Sequence, residues 1–447
     1  MNENQLMENI TSDIKKYNIA YLRLQFTDLL GKQKNVEVPS RKLNDVLDGK
    51  IMFDGSSVQG FTRIHESDMF LKPDLITWKV LHYEKAVHDT GVARLVCDTY
   101  TLDGKQFLGN PRTNLKQLLG TLSEYGFSDF NVGFEPEFYL FKNIPTDPSQ
   151  LQPSDTGGYF DQSPIDESED CRREIVYELE RLGFLVEASH HEVGPGQNEI
   201  TWKYADALQT ADNLQTFKTV VREVATRHGL HATFMAKPYS LIAGSGMHTN
   251  LSLFTSDGKN AFFDETDPQK LSTNARYFIA GIMKHAKGLC AITNPTVNSY
   301  KRLVPGFEAP CYVAYSESNR SSLIRIPASR GLGTRIEVRN PDAMANPYLA
   351  LTVLLASGLD GIKNKLEPGI AIGTDIFDSN ADQIRATALE HLPVTLYEAL
   401  QELDKNLFLQ AALGEHIYTR YRQAKFHEWD NYHVKVSRWE LEKYFSY

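Results

Sequence analysis

A short segment with carboxylates at alternate positions, Phe134-Glu135-Pro136-Glu137-Phe138, constrains the fold of this chain more than any other feature. Side chains alternate between the two faces of an extended strand, so Glu135 and Glu137 share one face, about 7 Å apart, while Phe134 and Phe138 share the other. An isolated pair of this kind is more often a solvent-exposed strand face. The flanking aromatic residues instead predict a central strand whose apolar face packs against another layer.

A second pair of carboxylates flanks a turn sequence, Gly194-Pro195-Gly196. If the chain reverses there, Glu192 and Glu199 lie opposite each other on adjacent strands. Like charges placed across a strand pair repel unless a cation or a shared proton lies between them. A polar hairpin tip with both carboxylates in water is the alternative, and the segment alone does not decide between the two.

A glycine-rich segment, residues 244–246, leads into an alternating strand in which His248, Asn250 and Ser252 share a face. The segment does not match a phosphate-binding Walker loop. A single histidine is more often a hydrogen-bonded core residue than a metal ligand. His248 therefore becomes a candidate ligand only through the carboxylates predicted elsewhere.

Residues 335–339 form a fourth alternating segment, Arg335-Ile336-Glu337-Val338-Arg339. Both arginines and Glu337 face one way, and the two aliphatic residues face the core. An exposed ladder of salt bridges is the alternative interpretation.

Together these segments supply mostly oxygen ligands and one imidazole, which suits Mg²⁺ or Mn²⁺ better than zinc. A set of this size could hold two or more ions around a phosphate chain. Guanidinium groups, which bind phosphoryl groups and carboxylates, are numerous nearby. The pattern therefore predicts phosphoryl transfer. The candidate ligands are Glu135, Glu137, Glu192, Glu199, His248 and Glu337, and the arginines are Arg302, Arg320, Arg325, Arg335 and Arg339.

Composition excludes several other functions for this chain of 447 residues. The 57 acidic residues outnumber the 47 basic ones, and no basic cluster stands out, so direct nucleic-acid binding is not expected. The four cysteines are far apart, which argues against a zinc site or a disulfide framework. The polar N-terminus indicates a cytoplasmic protein. The longest apolar run, Tyr348–Leu359, is too short for a membrane span and predicts a buried helix that begins at Asn346-Pro347.

The order of the predicted elements favours an α+β fold over a regular β-α alternation. Extended segments at Ala20–Asp28, Lys34–Val38 and Ala93–Cys97, with a short helix at Leu43–Leu47, predict a compact β-rich N-terminal unit. The turn-rich stretch 98–111 marks its end. A helix is expected from Thr113 to Tyr125, with Gly126 as its C-terminal cap.

The residues described so far also carry a family resemblance, because the chain resembles bacterial type I glutamine synthetases of the Gram-positive, non-adenylylated subtype over essentially its whole length. The resemblance rests on seven segments in the same order. They are Phe53-Asp54-Gly55-Ser56-Ser57, Gly133-Phe134-Glu135-Pro136-Glu137, His191-Glu192 to Asn198-Glu199, Gly244-Ser245-Gly246-Met247-His248, residues 301–310 (KRLVPGFEAP), Asn319-Arg320-Ser321, and residues 335–341 (RIEVRNP).

This resemblance implies an ATP-dependent ligation of ammonia to L-glutamate through a γ-glutamyl phosphate. It implies an α+β chain with a small β-grasp domain, residues 1–104, and a larger catalytic domain, residues 105–447, with a curved antiparallel sheet flanked by helices. It further implies a homo-dodecamer of two stacked hexamers, whose active sites lie between neighbouring subunits and receive Asp54 from the neighbour.

By the same resemblance, one metal ion is held by Glu135, His248 and Glu337, and another by Glu137, Glu192 and Glu199. The remaining site residues fall into three groups. Glutamate and the transferred phosphoryl group are assigned to Gly244, Arg302, Arg320 and Arg339; the nucleotide to Glu187, Tyr204, Asn250, Ser252, Arg320 and Arg325; and the deprotonation of ammonium and closure of the site to Asp54 and to Glu308 on a flap.

Some positions depart from the family pattern or concern regulation. Ala243 stands where many relatives have an asparagine beside the glutamate site, and Phe377 stands where adenylylated forms carry a tyrosine. The resemblance implies inhibition by glutamine through Arg63 and contact with a nitrogen-responsive repressor protein. Two alternatives are a ligase that joins glutamate to a polyamine, against which Asp54 argues, and a non-catalytic scaffold, which would tolerate lost ligands.

Overall fold

The computed structural model describes residues 2–61, 68–84, 87–145, 147, 150–317, 321–369, 371–372 and 389–447, and its first hundred residues form a five-stranded sheet. The strand order is β2-β1-β5-β4-β3, with β1 and β5 parallel and the other neighbours antiparallel. The elements are α1 (Glu3–Lys16), β1 (Ile19–Thr27), β2 (Gln33–Pro39), α2 (Leu43–Leu47), β3 (Ile51–Asp54), β4 (Asp68–Val80) and β5 (Gly91–Thr101).

The extended segments and the short helix predicted for this unit are confirmed. Alternation places Leu22, Leu24 and Phe26 of β1 in the core. Helix α1 packs on the sheet, where Asp13 accepts a hydrogen bond of 3.0 Å from the indole nitrogen of Trp78. Strands β3 and β4 were not predicted, because polar residues interrupt the alternation of β4 and its pairing with β5 shifts register after Asp74.

In the part of the chain that the structure describes, the larger sheet contains nine strands and is antiparallel except for the pair β12 and β13. Its order is β12-β13-β14-β11-β6-β8-β7, and β9 and β10 also pair with β6. Strand β6 is therefore the centre of the sheet, as its aromatic residues predict. The strands are β6 (Asp129–Phe141), β7 (Val186–His191), β8 (Gln197–Trp202), β9 (Ala205–Asp206), β10 (His231–Thr233), β11 (Met247–Phe254), β12 (Tyr315–Ser316), β13 (Ile324–Arg325) and β14 (Ile336–Val338).

Helices cover the apolar face of this sheet and confirm the α+β class. Phe138 of β6 contacts Phe217, which is fully buried, and Phe234, with ring centres 6.0 and 5.8 Å away. The helices are α3 (Pro111–Leu119), α4 (Glu169–Arg181), α5 (Ala207–Arg227), α6 (Thr273–Thr293), α7 (Pro347–Asn364), α8 (Leu396–Lys405), α9 (Leu407–Leu413), α10 (Glu415–His433) and α11 (Arg438–Tyr444).

Two helix predictions can be compared with these boundaries. Helix α7 begins as predicted, since the Asn346 side chain accepts from the amides of Tyr348 and Leu349 and Pro347 occupies the first turn. Helix α3 instead ends at Leu119, and a separate 3₁₀ turn reaches the left-handed Gly126. No helix of the described ranges is both long enough and apolar enough to cross a membrane.

Four charged residues, which we name the junction cluster, connect the smaller sheet to helix α5 through the start of α3. The guanidinium of Arg112 lies 2.8 Å from Asp74, 2.8 Å from Asp98 and 2.9 Å from Asp212. Asp74 and Asp98 belong to the smaller sheet, and Asp212 belongs to α5. Arg112 is 2% exposed, so this ion cluster fixes the smaller unit against the helical layer from inside the protein.

Candidate active site

The pairing of the central strands brings the predicted carboxylates to one face of the larger sheet. Glu135 of β6 lies opposite His248 of β11, and Glu137 lies opposite Glu199 of β8. Directly opposed residues in a sheet project to the same side. The other face of β6 carries Phe134 and Phe138, both almost fully buried. The carboxylates and the imidazole therefore lie on the face of the sheet that the helices do not cover.

Three of the predicted ligands converge at the β6, β11 and β14 strands. One ligand atom each from Glu135, His248 and Glu337 lies within 4.8 Å of the others, a spacing that one metal ion could bridge. His248 Nδ1 is 3.4 Å from a Glu135 oxygen and 3.8 Å from a Glu337 oxygen. Burial opposes ionisation of Glu135, but the hydrogen bond and charge of His248, with Asn250, lower its pKa to about 2.

A second convergence lies at the hairpin of β7 and β8 and corrects one prediction. The residue opposite Glu199 is His190, whereas Glu192 pairs with Gln197 through a backbone hydrogen bond of 2.8 Å. The reversal is centred between Gly194 and Pro195, so the pairing is shifted by two residues. Glu192 still projects to the same face, and ligand atoms of His190, Glu192 and Glu199 lie within 4.8 Å of one another.

Glu137 lies between these two groups of ligand atoms, and hydrogen bonds fix the position of its carboxylate. One of its carboxylate oxygens accepts hydrogen bonds of 2.9 Å from the side chain of Gln197 and from the amide of Gly246. Burial and the neighbouring charge of Glu192 raise its pKa. Burial, with the charges of Glu137 and other carboxylates, raises the pKa of Glu199 to about 9.

Burial is the larger cause of both raised pKa values, and repulsion among the neighbouring carboxylates adds to it. Divalent ions coordinated by oxygen ligands would relieve this repulsion, and the donor set of five carboxylates and one imidazole fits Mg²⁺ or Mn²⁺. The residues present therefore fit the predicted metal ions. We name this set the carboxylate cage: Glu135, Glu137, Glu192, Glu199, His248 and Glu337.

Glu337 is buried, and two arginines hold it. Arg325 lies 2.5 Å from one of its oxygens, and Arg339 donates a short hydrogen bond to the other. Glu337 is 1% exposed, so the exposed salt-bridge ladder considered for this segment is wrong. A paired, buried carboxylate of this kind keeps its position when a ligand binds.

Two neighbouring cavities open on this face and share Glu135. The first, about 380 Å³, contains the carboxylate cage together with Glu308, Arg325 and Arg339. The second, about 290 Å³, has polar edges and apolar walls that include Trp202 and Leu332, and we name it the slot. All four predicted nucleotide contacts other than arginines line the slot: Glu187, Tyr204, Asn250 and Ser252.

Several lining residues were not predicted as site residues. Tyr159 and His190 line the cage cavity, and Trp202 and Leu332 line the slot together with Arg335, which was among the predicted arginines. His190 had a usable signal, because it lies two positions before Glu192 on an extended run and must share its face. Tyr159 and Leu332 come from loops with no periodicity, so nothing in the sequence placed them.

The structure does not bring every predicted residue to these cavities. Asp54 is exposed at the end of β3, with its carboxylate bound by Ser56 and Ser57, and these hydrogen bonds lower its pKa. It lines neither cavity of its own chain. The predictions for Arg63 and Arg320, and the comparison made at Phe377, lie outside the described residues.

Gly244 and Arg302 lie beside the cage, in contact with each other. A Cβ on Gly244 would come within 2.5 Å of the Ala236 carbonyl oxygen and 2.9 Å of the Arg302 side chain, so only glycine fits. Arg302 is almost fully buried and donates to the carbonyl oxygens of Arg339 and Asn340. Its guanidinium is therefore held by the backbone next to Arg339.

A buried histidine supports the hairpin that carries Glu192 and Glu199. His191 Nδ1 lies 2.6 Å from the Glu192 carbonyl oxygen, and Nε2 lies 2.9 Å from Asp155. Both partners are acceptors, so both ring nitrogens donate. Burial opposes the charged ring, but the hydrogen bond and charge of Asp155 raise its pKa. Asp155, Asp166 and His191 are close enough together for a metal ion, yet these hydrogen bonds already occupy the imidazole.

A mixed sheet with buried carboxylates, an imidazole and arginines on one face, beside a slot with apolar walls, defines a metal-dependent enzyme that handles phosphate groups. Comparison with known proteins is more specific. Residues 18–102 match the family described as glutamine synthetase, beta-Grasp domain, and residues 108–444 match glutamine synthetase, catalytic domain.

Among curated proteins, the glutamine synthetases of Staphylococcus aureus and Staphylococcus epidermidis are each 53% identical over 436 residues, covering 97% of both chains. Among solved structures, a GmaS/ADP complex has a TM-score of 0.88 at 33% identity, covering 98% of this chain and 99% of that one. Plasmodium falciparum glutamine synthetase has a TM-score of 0.88 at 27% identity, covering 99% of each.

The chain belongs to the glutamine synthetase family, within the bacterial type I group of Gram-positive organisms. Its activity is the ATP-dependent synthesis of glutamine from glutamate and ammonia.

Proposed function

We propose that glutamine forms here through γ-glutamyl phosphate, made when ATP phosphorylates the side-chain carboxylate of glutamate. A carboxylate is a poor acyl donor, and phosphorylation converts its oxygen into a leaving group. Ammonia then attacks the carbonyl carbon, the carbon–oxygen bond to phosphate breaks, and phosphate departs with the electron pair. The observation that carries this proposal is the convergence of the six cage residues in a cavity that adjoins the slot.

Two or more Mg²⁺ or Mn²⁺ ions are assigned to the carboxylate cage. Glu135, His248 and Glu337 are proposed to hold one ion, and the 4.8 Å spacing of their ligand atoms supports this. The other is assigned to Glu137, Glu192 and Glu199, which the raised pKa values of Glu137 and Glu199 support. Bound ions neutralise phosphate charge and orient the transferring phosphoryl group.

The slot is proposed to bind the nucleoside part of ATP. The exposed Leu332 side chain offers apolar surface for a flat base, and Asn250 and Ser252 offer polar atoms at the edge. Glu187 and Tyr204 are further proposed contacts. Arg325, which lines the cage cavity, and Arg320 are assigned to the phosphates, because guanidinium forks match phosphoryl oxygens.

Glutamate is assigned to the region between the cage and residues 244–246. Gly244 is proposed to contact glutamate through its backbone, since its own packing against Ala236 and Arg302 leaves no room for a side chain, and Arg302 and Arg339 supply positive charge beside it. Arg320 and Arg339 are proposed to stabilise charge on the transferred phosphoryl group. Glu308, at positive φ in an exposed segment, is proposed to close over the intermediate and exclude water.

Asp54 is proposed to complete the active site of a neighbouring subunit in a homo-dodecamer of two stacked hexamers. Its exposure, and its absence from both cavities of its own chain, support this assignment. Ser56 and Ser57 keep its carboxylate ionised, which suits the binding of the ammonium cation, and Asp54 is further proposed to promote its deprotonation.

Regulation and organisation complete the proposal. Inhibition by glutamine through Arg63, contact with a nitrogen-responsive repressor protein and the lack of control by adenylylation at Phe377 are carried over from the sequence resemblance, as is a cytoplasmic location. The boundary between residues 104 and 105 falls between the two matched segments, which supports the proposed division into a β-grasp and a catalytic domain.

The proposal is tested with purified protein, glutamate, ATP and Mg²⁺, to which either ammonia or methylamine is added. We expect one phosphate per glutamine with ammonia, and capture of the acyl phosphate by borohydride when ammonia is omitted. The Glu308→Ala variant should bind ATP normally and lose most amide formation. Preference for methylamine, or full turnover of Glu308→Ala at saturating ammonium, would contradict the proposal.

A further inference from the structure

A buried lysine outside the carboxylate cage connects the two loops that border the proposed glutamate site. Lys237 is 7% exposed and follows β10. Its backbone is fixed by Asn298, whose side chain accepts from the Lys237 amide at 2.8 Å and donates to its carbonyl oxygen at 3.0 Å. The base of this side chain therefore has a defined position, and only its ammonium end can exchange partners.

The ammonium of Lys237 makes two contacts, one with each loop. It donates a short hydrogen bond to the carbonyl oxygen of Ile242, two residues before Gly244. It also lies over the ring of Phe307, 3.7 Å from the ring centre, a geometry in which the ring attracts a cation. Burial, with the charge of Arg302, lowers the pKa of Lys237 to about 8. The ammonium has therefore lost much of its hydration, and these two partners take the place of water.

The loop that contains Ile242 is held to the core by its carbonyl oxygens. Tyr139 donates to the carbonyl of Ala243 at 2.6 Å, and Gln197 donates to that of Gly244 at 3.1 Å. Gln197 also donates to Glu137 of the cage. The loop is therefore a fixed support that continues to the carboxylate cage.

The flap segment, residues 305–308, has much less support of its own. Gly306 and Glu308 both have positive φ, +89° and +55°, on either side of Phe307. Among the described residues, and apart from its chain neighbours, no atom lies within 4 Å of a Cβ built on Gly306, and Glu308 is exposed. The half-buried Phe307 ring contacts the ammonium of Lys237 and so connects this segment to the fixed loop.

We propose that Lys237 and Phe307 are positioning residues that latch the Glu308 flap to the loop at residues 242–244 and so keep water from the acyl phosphate. This inference rests on the proposed function, because it needs a reactive intermediate to protect. Water and ammonia compete for the same carbonyl carbon: attack by ammonia gives glutamine, attack by water regenerates glutamate, and both release phosphate. A loosened latch should therefore raise phosphate release per glutamine formed.

The test measures phosphate and glutamine in parallel for Lys237→Met, Lys237→Arg and Phe307→Leu in the full-length enzyme. At ammonium well below its KM, Lys237→Met and Phe307→Leu should release at least about three phosphates per glutamine, where the unmodified enzyme releases one. Saturating ammonium should bring the ratio back towards one, since ammonia then outcompetes water. Lys237→Arg keeps the cation over the ring and should retain most of the coupling.

Lys16→Met is the matched control, because Lys16 also lies over an aromatic ring, that of Tyr17 at 4.8 Å from its centre, but on α1 of the smaller unit. It should keep a ratio of one. A ratio of one in both Lys237→Met and Phe307→Leu, with folding confirmed by circular dichroism, would overturn the latch, and so would uncoupling in only one of them. If the unmodified enzyme made no glutamine, the proposed function itself would fail instead.

Discussion

The junction cluster and the carboxylate cage both bury several carboxylates close together, but they treat the charge differently. In the junction cluster, three aspartates surround Arg112, each within 2.9 Å of its guanidinium. Burial disfavours the charged guanidinium, but the charge and hydrogen bonds of Asp212, and then Asp98, outweigh it and raise the pKa of Arg112. In the cage, Glu137 and Glu199 face each other with raised pKa values.

In the junction cluster, an arginine of the chain neutralises the carboxylates. In the carboxylate cage, the carboxylates remain available for a ligand to neutralise. A planar guanidinium with five donors can satisfy three carboxylates from a single side chain. Glu137 and Glu199 have no comparable cation between them in the described chain, so their raised pKa values favour a bound proton until a divalent ion displaces it. In this molecule, carboxylates in a cavity with strongly shifted pKa values indicate a functional site. Carboxylates that are equally buried but paired with a cation of the chain indicate a structural role.

The largest expected effect comes from replacing one cage carboxylate. Glu199→Gln removes a proposed metal ligand together with a repelling charge. We expect a roughly 10⁴-fold loss of kcat/KM, because a bound ion contributes several kcal/mol to the transition state. Without metal the variant should melt at a higher temperature than the unmodified protein, and Mg²⁺ should raise its melting temperature less. Steady-state kinetics and thermal melts with EDTA or Mg²⁺ measure both effects.

Glu180→Gln on the exposed side of α4 is the control for this experiment, since it removes one carboxylate that lines neither the cage cavity nor the slot. It should change neither the activity nor the response to Mg²⁺. Less than a tenfold loss of activity in Glu199→Gln, or an unchanged response to Mg²⁺, would mean that the raised pKa of Glu199 does not mark a metal site.

A second experiment removes a cation instead of a carboxylate, by replacing Arg112 of the junction cluster. Arg112→Met removes the guanidinium from three carboxylates, of which Asp212 is buried and Asp98 retains only Lys116 at 2.6 Å, and should cost about 4 kcal/mol of unfolding free energy. Arg112→Lys keeps the charge but loses the fork, and should cost about half as much. Denaturant unfolding followed by circular dichroism measures the difference.

Arg112→Met could leave too little folded protein to measure, so Asp74→Asn provides a milder test of the same cluster. Asp74 is the most exposed of the three partners, and its loss should cost about 1 kcal/mol. In all three variants the folded fraction should keep its KM for ATP. A stability equal to that of the unmodified protein in Arg112→Met would contradict the assignment of this cluster as structural.

The sequence predicted the residues of the carboxylate cage better than it predicted the register of the strands that carry them. Glu135, Glu137 and Glu337 lie in segments where alternation alone decides the facing of each side chain, and the structure places them on one face. The register of the β7–β8 hairpin was predicted wrongly, because it depends on which residues of Gly194-Pro195-Gly196 form the turn. A shift of two preserves the facing of Glu192 and changes only its partner.

Other features depend on contacts between segments distant in the sequence. The junction cluster joins Asp74, Arg112 and Asp212, separated by up to 138 positions, and no local pattern relates them. Strand β4 was missed because a register shift interrupts its alternation. The slot contains Leu332 from an irregular loop. Periodicity fixes which way a side chain points within one element, but tertiary packing decides which elements meet.

The smallest expected effect concerns Lys218, a buried cation that belongs to neither the junction cluster nor the carboxylate cage. It tests whether every buried charge that lacks a close opposite charge belongs to a functional site. Lys218 on α5 lies inside the protein, 6.0 Å from the centre of the Phe234 ring. Burial and the neighbouring Arg222 lower its pKa to about 7, while Asp342 has the opposite influence. Lys218 lines neither the cage cavity nor the slot.

Lys218→Met should therefore stabilise the protein without changing its activity. The unfolded chain, with a lysine pKa of about 10.4, binds more protons than the folded state between pH 7 and pH 10.4, so the destabilising effect of Lys218 is complete below pH 7 and disappears as the pH rises. We expect a gain of about 1–2 kcal/mol at pH 6.5 that falls towards zero by pH 10. Denaturant unfolding at both pH values measures the gain, with the exposed Lys363→Met as control. A loss of activity, or a gain that does not depend on pH, would show that poorly matched buried charge does not separate function from structure in this fold.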